Sequence, residues 1–398
     1  MENKKNFLLS NGTLWFGASV SIAEILTGTA IAPLGFAKGA AAIFIGHFIG
    51  CMLMYFAGRI GAETGLSAME TVKNSFGKYG ALFFALMNVL QLVGWTAVMT
   101  GEGAVAASEA GKNISGNYMF WAAIIGALIL IWILLGITHI TKLNFVAVSA
   151  LFVLAVLLSI KIFHAEVPVT SNAPSGISFG TAVELSAAMP LSWLPLISDY
   201  TRKAEKTSAV TSVSVIAYFA GSCWMFIIGM GASIITGASD IPEILLKAGF
   251  GTAGLIIVLL STITTTFLDA YSAGVSSVTL YHKIDEKWAA VAVTAIGTLI
   301  AIFAPLGSIE GFLYLIGSVF APMTAILISD YFILKQSSFE SSINIKNAVI
   351  WSIGFVIYRF SMTVKTPVGN TVPVIFIVGL ICVIFGITEK KLKKSSRI

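Results

Sequence analysis

The chain has 398 residues, of which 57% are hydrophobic and only 11% are charged, whereas ordinary soluble domains carry roughly 25% charged residues. No soluble core buries so many apolar side chains, so a soluble globular fold is excluded. The net charge of +5 is distributed along the chain in a way that argues against a nucleic-acid-binding protein. Composition therefore predicts an all-α polytopic membrane protein.

Long apolar runs with almost no charges define the predicted elements. About 20 apolar residues are needed to cross the hydrocarbon of a bilayer as a helix. Segmentation by this rule predicts twelve transmembrane helices, at 13–35, 39–58, 79–108, 118–138, 141–163, 179–198, 208–235, 250–281, 287–304, 311–334, 345–363 and 371–388. The connections are too short to fold alone, so we expect the protein to act within or across the bilayer.

Positive charges predict the orientation of the chain. An even number of spans places both termini on one side, and most of the 24 lysines and arginines fall on that side. Both termini are therefore predicted to be cytoplasmic, in a bacterial-type cytoplasmic (inner) membrane. The first residues lack a cleavage site of small residues, so no removable signal peptide is expected. The three cysteines and four histidines form no disulfide or metal pattern, and no cofactor is predicted.

Spans one and six are poor ordinary helices. Span one contains Gly28 and Pro33, and span six contains Pro190 and Pro195. Proline removes a helical hydrogen bond, and irregular backbone at membrane depth survives where it lines a cavity or is buried in protein. Paired interruptions at corresponding positions of two halves indicate a transporter's binding site. The alternative is that these kinks only help packing.

This pairing predicts the domain organisation. Spans one and six correspond if the core consists of two five-helix repeats followed by two further helices. The expected units are a first inverted repeat at 1–164, a second inverted repeat at 165–336, and two additional C-terminal helices with a basic cytoplasmic tail at 337–398.

Three acidic residues lie at membrane depth: Glu24, Glu184 and Asp269. A carboxylate in hydrocarbon costs several kcal/mol, so such residues usually face a cavity on a substrate or ion pathway. Span eight also carries the neighbouring hydroxyls of Thr264 and Thr265. Hydroxyls beside unwound carbonyls suit a sodium ion, although threonine also bonds within its own helix.

Two tryptophans stand at mid-depth, whereas most membrane tryptophans lie at the interfaces. Trp95 follows Gln91 by one turn on the same helix face, and Trp193 lies between the two prolines of span six. This placement favours stacking on a flat ligand. Simple packing is the alternative.

The pentapeptide LISDY occurs twice, at 196–200 and 327–331. Both copies end inward-running spans at the predicted cytoplasmic face. Asp199 and Asp330 are therefore predicted to act at an inner gate or to fix helix ends. The alternative is that they only mark where a span leaves the membrane.

Four stretches carry a family resemblance: NGTLWFGASVSIAEILTG, QLVGWTAVM, SWLPLISDYTR and FAPMTAILISDYFIL. With them, nearly the whole chain resembles the nucleobase–cation symporter-1 family. It looks most similar to the cytosine-permease-like branch, and within it to the hydroxymethylpyrimidine permeases associated with thiamine precursor salvage. The resemblance implies a five-plus-five inverted-repeat (LeuT-like) core with discontinuous helices 1 and 6. Substrate would lie between spans one, three, six and eight, and spans 1, 2, 6 and 7 would move as a bundle against a scaffold.

The resemblance also implies roles for individual residues. Trp95 and Gln91 match a stacking aromatic and an amide of span three, and Trp193 falls near an aromatic of span six. Thr264 and Thr265 match sodium-ligating hydroxyls, which main-chain oxygens near Ser21 and Ala23 would complement. The sequence departs from the family at three acids: Asp269 stands where many relatives have an asparagine or polar run, and Glu24 and Glu184 are acidic where other members need not be.

These acids suit an aminopyrimidine, because a carboxyl group pairs with the donor and acceptor on one edge of its ring. The leading hypothesis is a monomeric secondary active transporter, a cation symporter that imports hydroxymethylpyrimidine or a cytosine-like base by alternating access. Sodium is favoured over a proton as the coupling ion. The alternative is a Na⁺- or H⁺-coupled transporter of amino acids or polyamines. An intramembrane enzyme is disfavoured because no nucleophile–base or metal constellation is present, and a channel because no ring of like residues is.

Overall fold

The computed structural model describes residues 4–135, 137–164, 176–238, 251–304, 309–362 and 366–395, together with residues 243 and 364. Within these ranges the secondary structure is helical and contains no β-strand. The first helices are α1 (Lys4–Ser19), α2 (Ile22–Ile31), α3 (Phe36–Thr64), α4 (Ala68–Thr71), α5 (Lys73–Ala110), α6 (Tyr118–Leu135) and α7 (Ile137–Phe163). The remaining helices are α8 (Phe179–Ser192), α9 (Ile197–Thr201), α10 (Thr207–Thr236), α11 (Gly251–Leu280), α12 (Glu286–Phe303), α13 (Ile309–Ile328), α14 (Ile345–Ser361) and α15 (Thr371–Ser395).

The all-helical prediction is confirmed for the described residues, and helix occurs at each of the twelve predicted spans. Eight helices are long and apolar enough to cross a membrane, or nine if a bent pair forms one span, within the part of the chain that the structure describes. Twelve crossings therefore stay a prediction. The predicted first residue of span eight, 250, lies outside the described ranges.

Two helix boundaries differ from the predicted ones for local reasons. Helix α3 continues beyond the predicted end at 58, because Arg59 and Glu63 pair across one turn and keep the charged segment helical until Gly65. Helix α5 begins before the predicted start at 79 but is interrupted at Gly77, whose φ of 74° is left-handed. A side chain at Gly77 would also meet the backbone of Ser341.

The first span is broken, as predicted. Helices α1 and α2 are bent by 50°, and the break falls at residues 20 and 21, with Ser21 three residues before Glu24. The Ser21 hydroxyl begins the second helix by accepting a hydrogen bond from the Glu24 amide at 3.3 Å. Gly28 instead permits close packing, because a Cβ there would collide with the Phe226 backbone. Pro33 lies in a 3₁₀ turn, Ala32–Leu34, at the end of this span.

The sixth span is broken at residues 193–196, between α8 and α9. The two prolines predicted this interruption: Pro190 lies inside α8, near its end, and Pro195 lies in the break. The break leaves the carbonyl of Pro195 free to accept a hydrogen bond from Asn88 of α5 at 3.1 Å. Protein therefore satisfies the irregular backbone, as the membrane interior requires.

Packing divides the helices into two main bodies. Helices α1, α2, α3, α8, α9 and α10 pack extensively on one another, and we call them the bundle. Helices α5, α6, α11 and α12 pack on one another in the same way, and we call them the scaffold. Helices α13, α14 and α15 form a third group beside them. The inverted-repeat boundaries at 164 and 336 stay predictions, and residues 165–175 lie outside the described ranges.

Candidate functional site

A narrow cavity of about 20 Å³ lies between the bundle and the scaffold, at the level of both helix breaks. Its bundle wall consists of Ala18, Ser21, Ala23, Glu24, Met189, Ser192 and Trp193. Its scaffold wall consists of Trp95, Met99, Thr265 and Asp269. The structure therefore brings together most of the residues that the sequence singled out, on two bodies that face each other.

The two predicted tryptophans form rigid parts of this cavity. The Trp95 ring contacts Phe312 edge-on, with centroids 5.3 Å apart. The Trp193 ring makes the same kind of contact with Trp15, also at 5.3 Å. Edge-to-face contacts fix the orientation of aromatic rings. Both indoles are thus held from behind and can serve as firm apolar surfaces for a flat molecule.

The Glu24 carboxyl is held by donors from α10. Tyr218 Oη donates to Glu24 Oε1 at 2.6 Å, and Ser222 Oγ donates to Glu24 Oε2 at 2.7 Å. Ser222 in turn lies 2.5 Å from Nε2 of His47, on α3. Sequence reasoning missed Tyr218, Ser222 and His47 as site residues. The available signal was that a fully apolar span rarely keeps a histidine or a hydroxyl without a partner.

Asp269 has a different environment from Glu24. Its side chain is only 4% exposed and lines the cavity from α11. Among the residues that the structure describes, no hydrogen-bond donor contacts its carboxyl group. A buried acid without a protein partner is costly unless a ligand or water supplies one. Its oxygens are therefore available to a molecule in the cavity.

The predicted sodium residues separate into two sets. Ser21, Ala23 and Thr265 line the cavity together, and the Thr265 hydroxyl is buried with no hydrogen-bond partner in the described ranges. The Thr264 hydroxyl instead donates to the carbonyl of Leu260 at 2.8 Å, within its own helix. Thr265 therefore has an oxygen to offer a hard cation, whereas Thr264 follows the intrahelical alternative.

The first helix break and α11 are also joined directly. Ser261 Oγ donates to the carbonyl of Val20, which the break leaves free, at 2.9 Å. This contact links the bundle to the scaffold beside Ser21. It was not predicted from the sequence.

Gln91 does not line the cavity. Its Nε2 donates to Asn88 Oδ1 at 2.6 Å, and Asn88 Nδ2 in turn donates to Ser276 Oγ at 2.8 Å and to the carbonyl of Pro195. Gln91 thus supports Asn88, which joins the scaffold to the second helix break. Asn88 itself was not singled out from the sequence.

Glu184 also lies away from the cavity. It stands five residues before Met189, which turns it roughly 140° around the helix axis at about 100° per residue. Its Oε2 accepts hydrogen bonds from the main-chain amides of Asn370 at 2.7 Å and Thr371 at 2.9 Å, and its Oε1 accepts one from Tyr358 Oη at 3.1 Å. In this structure Glu184 therefore ties α8 to the start of α15 and to α14, not to the cavity.

The two LISDY aspartates have different partners. Asp199 Oδ1 accepts a hydrogen bond from the amide of Ala68 at 2.8 Å, which ties the sixth span to α4. Asp330 Oδ2 accepts one from Asn347 Nδ2 at 2.7 Å and so fixes the end of its span to α14. Asp199 therefore belongs to contacts at the inner end of the bundle, and Asp330 to the third group of helices.

Further contacts close the same end of the molecule. Tyr200 Oη donates to the carbonyl of Leu268 on α11 at 2.9 Å. Arg202 lies 3.7 Å from Glu286 at the start of α12. Each contact joins the bundle to the scaffold on the side where α9 ends.

Similarity to known proteins shows the family of this chain. The family described as permeases for cytosine/purines, uracil, thiamine and allantoin matches residues 3–395. The chain belongs to this family. It is accordingly a multi-pass membrane transporter, as predicted.

Individual relatives are distant. The cytosine permease of Escherichia coli K12 is 25% identical over 299 residues, which cover 74% of this chain and 70% of the relative. The hydantoin permease of Microbacterium maritypicum is 23% identical over 363 residues, covering 82% and 73%. The structure of Mhp1, a nucleobase-cation-symport-1 family transporter in a closed conformation with bromovinylhydantoin bound, superposes with a TM-score of 0.79 and 19% identity, covering 98% of this chain and 93% of Mhp1. That likeness establishes the fold.

Proposed function

We propose that this transporter imports a small aromatic pyrimidine, with hydroxymethylpyrimidine first and cytosine-like bases next, together with a cation. The observation that carries the proposal is one cavity with two rigid tryptophans and two carboxyl groups, Glu24 and Asp269. Relatives named as cytosine and hydantoin permeases support a planar nitrogen heterocycle. The expected partners are this small molecule and the lipid bilayer, and the expected state is a monomer.

The cavity suits the chemistry of an aminopyrimidine. Its ring has two flat apolar faces, which Trp95 and Trp193 can cover. Its edge carries an exocyclic amine, which donates hydrogen bonds, next to a ring nitrogen, which accepts them. A carboxyl group accepts from the amine, and Asp269 has no competing donor within the described residues. Stacking thus supplies affinity, and the carboxyl groups supply selectivity.

The proposed coupling ion is Na⁺, with H⁺ as the alternative. Sodium prefers hard oxygen ligands. The buried Thr265 hydroxyl, which has no hydrogen-bond partner among the described residues, lines the same cavity as Ser21 and Ala23. Broken membrane helices supply the further main-chain oxygens that such sites use. Sodium would thus bind where the scaffold meets the first helix break, next to the substrate.

Alternating access follows from the two bodies. The cavity walls belong to the bundle and to the scaffold, so their relative movement would open it to one side or the other. Opening toward the end closed by α9 requires the Tyr200–Leu268 and Arg202–Glu286 contacts to separate. We propose that this end is cytoplasmic, as are both termini, in the inner membrane of a bacterial-type cell.

Uptake into proteoliposomes tests the function. Labelled hydroxymethylpyrimidine and cytosine should accumulate when an inward Na⁺ gradient is imposed, and choline in place of Na⁺ should abolish accumulation. Accumulation that persists without Na⁺ and follows an imposed proton gradient would replace sodium by protons. Competition by amino acids or polyamines, with no uptake of either pyrimidine, would replace the proposed substrate class.

Thr265→Ala provides a specific test of the sodium site. We expect it to raise the Na⁺ concentration needed for half-maximal uptake by about tenfold, because one oxygen ligand is lost, at roughly 1–2 kcal/mol. Thr294→Ala is the matched control, since Thr294 is buried in α12 and its hydroxyl only bonds the carbonyl of Ala290. Equal Na⁺ dependence in both variants would remove Thr265 from the site.

A further inference from the structure

Behind Glu24 lies a hydrogen-bonded series that the proposed function does not use. We propose that His47, acting through Ser222, is a positioning residue that holds the Glu24 carboxyl in one orientation toward the substrate cavity. The inference rests on the proposed function in one respect: that Glu24 contacts the substrate. It adds two residues, on helices α3 and α10, that determine affinity without lining the cavity.

The geometry fixes both oxygens of Glu24. Tyr218 and Ser222 lie one turn apart on α10, and each donates to a different carboxyl oxygen, at 2.6 and 2.7 Å. Glu24 is 2% exposed, and Tyr218, Ser222 and His47 are fully buried. With one donor on each oxygen, rotation of the carboxyl group would break at least one buried hydrogen bond. The carboxyl group, which lines the cavity, is therefore held in one orientation.

His47 is itself held in one orientation. Its Nδ1 lies 2.9 Å from the carbonyl of Ile43, and because a carbonyl only accepts, Nδ1 must carry a hydrogen and donate. The ring also packs edge-on against Phe226, with centroids 4.7 Å apart. These two contacts aim Nε2 at Ser222 Oγ, 2.5 Å away. Ser222 has one hydroxyl hydrogen, so two arrangements satisfy its contacts with Glu24 and His47. Either that hydrogen goes to Glu24 and a doubly protonated ring donates from Nε2, or it goes to Nε2 of a neutral ring and a protonated Glu24 donates to Ser222. A fixed ring on α3 thus holds the hydroxyl that holds Glu24.

The behaviour of Ser222 separates this role from ordinary core packing. A buried serine in a helix usually bonds a carbonyl one turn back. In α10 that is what Thr211 and Ser214 do, at 2.8 and 2.9 Å from the carbonyls of Thr207 and Val210. Ser222 instead bonds two side chains from other helices, Glu24 and His47. Its hydroxyl links α2 to α3, both members of the bundle.

Two substitutions of His47 separate its hydrogen bond to the Ile43 carbonyl from its contact with Ser222. In His47→Gln the longer side chain can still reach Ser222, and in His47→Asn the shorter one can still donate to the Ile43 carbonyl but does not reach Ser222. We expect His47→Gln to keep the dissociation constant for cytosine or hydroxymethylpyrimidine within about twofold of wild type. His47→Asn and Ser222→Ala should weaken binding roughly tenfold, as for one lost hydrogen bond, with little change in maximal uptake rate.

A double variant tests whether His47 acts through Glu24. In a Glu24→Gln background, His47→Asn should cause no further loss of affinity, because the carboxyl that it positions is gone. Ser214→Ala is the matched control for Ser222→Ala, since Ser214 is equally buried in α10 but bonds only its own helix. Equal affinities of the Gln and Asn variants, or additive losses with Glu24→Gln, would overturn the inference.

An infrared measurement can test the role of His47 without any substrate. The carboxyl band of Glu24, identified as the difference between wild type and Glu24→Gln, should shift in His47→Asn but not in His47→Gln. If wild type binds neither pyrimidine, the proposed function fails and this band alone decides the role of His47. If the Glu24 carboxyl band has the same frequency in all His47 variants, the proposed role of His47 is overturned, whatever the substrate proves to be.

Discussion

At the scale of single residues, the two carboxyl groups of the cavity differ in what surrounds them. Glu24 receives donors from Tyr218 and Ser222, whereas Asp269 receives none within the described ranges. Glu24 is therefore a fixed acceptor, and Asp269 is an acceptor whose hydrogen bonds depend on the ligand. Under the proposed function we therefore expect Asp269 to contribute most to the discrimination between amine-bearing and oxo-bearing heterocycles, because an unmet acceptor penalises a ligand without a donor.

Asp269→Asn should therefore change selectivity. The amide brings a donor into the cavity, so the preference for cytosine over uracil should fall by about tenfold or more, at roughly 1–3 kcal/mol for one mismatched hydrogen bond. Competition of both bases against labelled substrate measures the ratio. Asp285→Asn is the control, since Asp285 begins α12 far from the cavity wall. An unchanged ratio would contradict the role of Asp269.

Trp95 should contribute affinity through its flat face. Trp95→Leu keeps apolar bulk but removes the ring, and we expect the KM for pyrimidine uptake to rise roughly tenfold, since stacking contributes about 1–3 kcal/mol per base. Trp95→Phe, which keeps an aromatic face, should cost clearly less. Trp121→Phe serves as a control because Trp121 is buried outside the cavity. Similar KM values for the Leu and Phe variants would argue for packing alone.

The sequence allowed some of these residues to be predicted and not others, for a physical reason. Trp95, Trp193, Glu24 and Asp269 stand out because their residue types are costly or unusual at membrane depth. His47 meets Ser222 only in the folded chain, 175 residues away. From the sequence alone, a single histidine in an apolar span that supports a site cannot be distinguished from one that only packs in the core.

At the scale of helices, the sequence predicted that spans one and six are both broken. Proline gave the position of the break in span six, and Ser21 caps α2 at the break in span one, although a serine is too common in this span to mark one position by itself. The orientation of α8 about its own axis could not be predicted from the sequence either. Glu184 was predicted to line the substrate site from its depth alone, whereas its angle around the helix turns it to Asn370 and Thr371.

Glu184→Gln should accordingly affect stability more than transport. Glutamine offers one acceptor oxygen in place of two, so some of the donors around Glu184 lose their partner, at about 1–3 kcal/mol. We expect a lower melting temperature in detergent and an unchanged KM for pyrimidine. Glu109→Gln is the control, since Glu109 is exposed and pairs only loosely with Lys112, at 3.8 Å. A raised KM with unchanged melting would restore Glu184 to the substrate site.

At the scale of the whole molecule, two packed bodies meet around the cavity and are joined at one end by few polar contacts. Tyr200 and Arg202 of the bundle reach Leu268 and Glu286 of the scaffold. In the proposed alternating-access cycle this end must open, and a small number of contacts suits that requirement, because a conformational equilibrium of a few kcal/mol is easily shifted by ligands. This organisation follows from tertiary packing, and only the resemblance to a transporter family predicted it.

Tyr200→Phe should loosen this closure. The variant removes one hydroxyl, and we expect the segment around residues 268–280 to exchange amide hydrogen roughly 5- to 10-fold faster, as for about 1 kcal/mol. Mass spectrometry of deuterium uptake measures it. Tyr118→Phe is a matched control, because its hydroxyl donates to the carbonyl of Ala301 inside the scaffold at 2.7 Å. Equal exchange in both variants would mean that Tyr200 does not restrain opening.

The division of the cavity wall between two bodies bears on how this carrier could be blocked. Glu24 and Trp193 belong to the bundle, whereas Asp269 and Trp95 belong to the scaffold. In the proposed alternating-access cycle, a molecule small enough to touch both halves would draw them together and be carried across. An analogue with a bulky substituent on the ring would still bind to one of the two bodies, but its substituent would keep the other body from closing on it. Such a compound would occupy the carrier without being translocated. It would therefore be a competitive inhibitor that keeps the substrate's own ring.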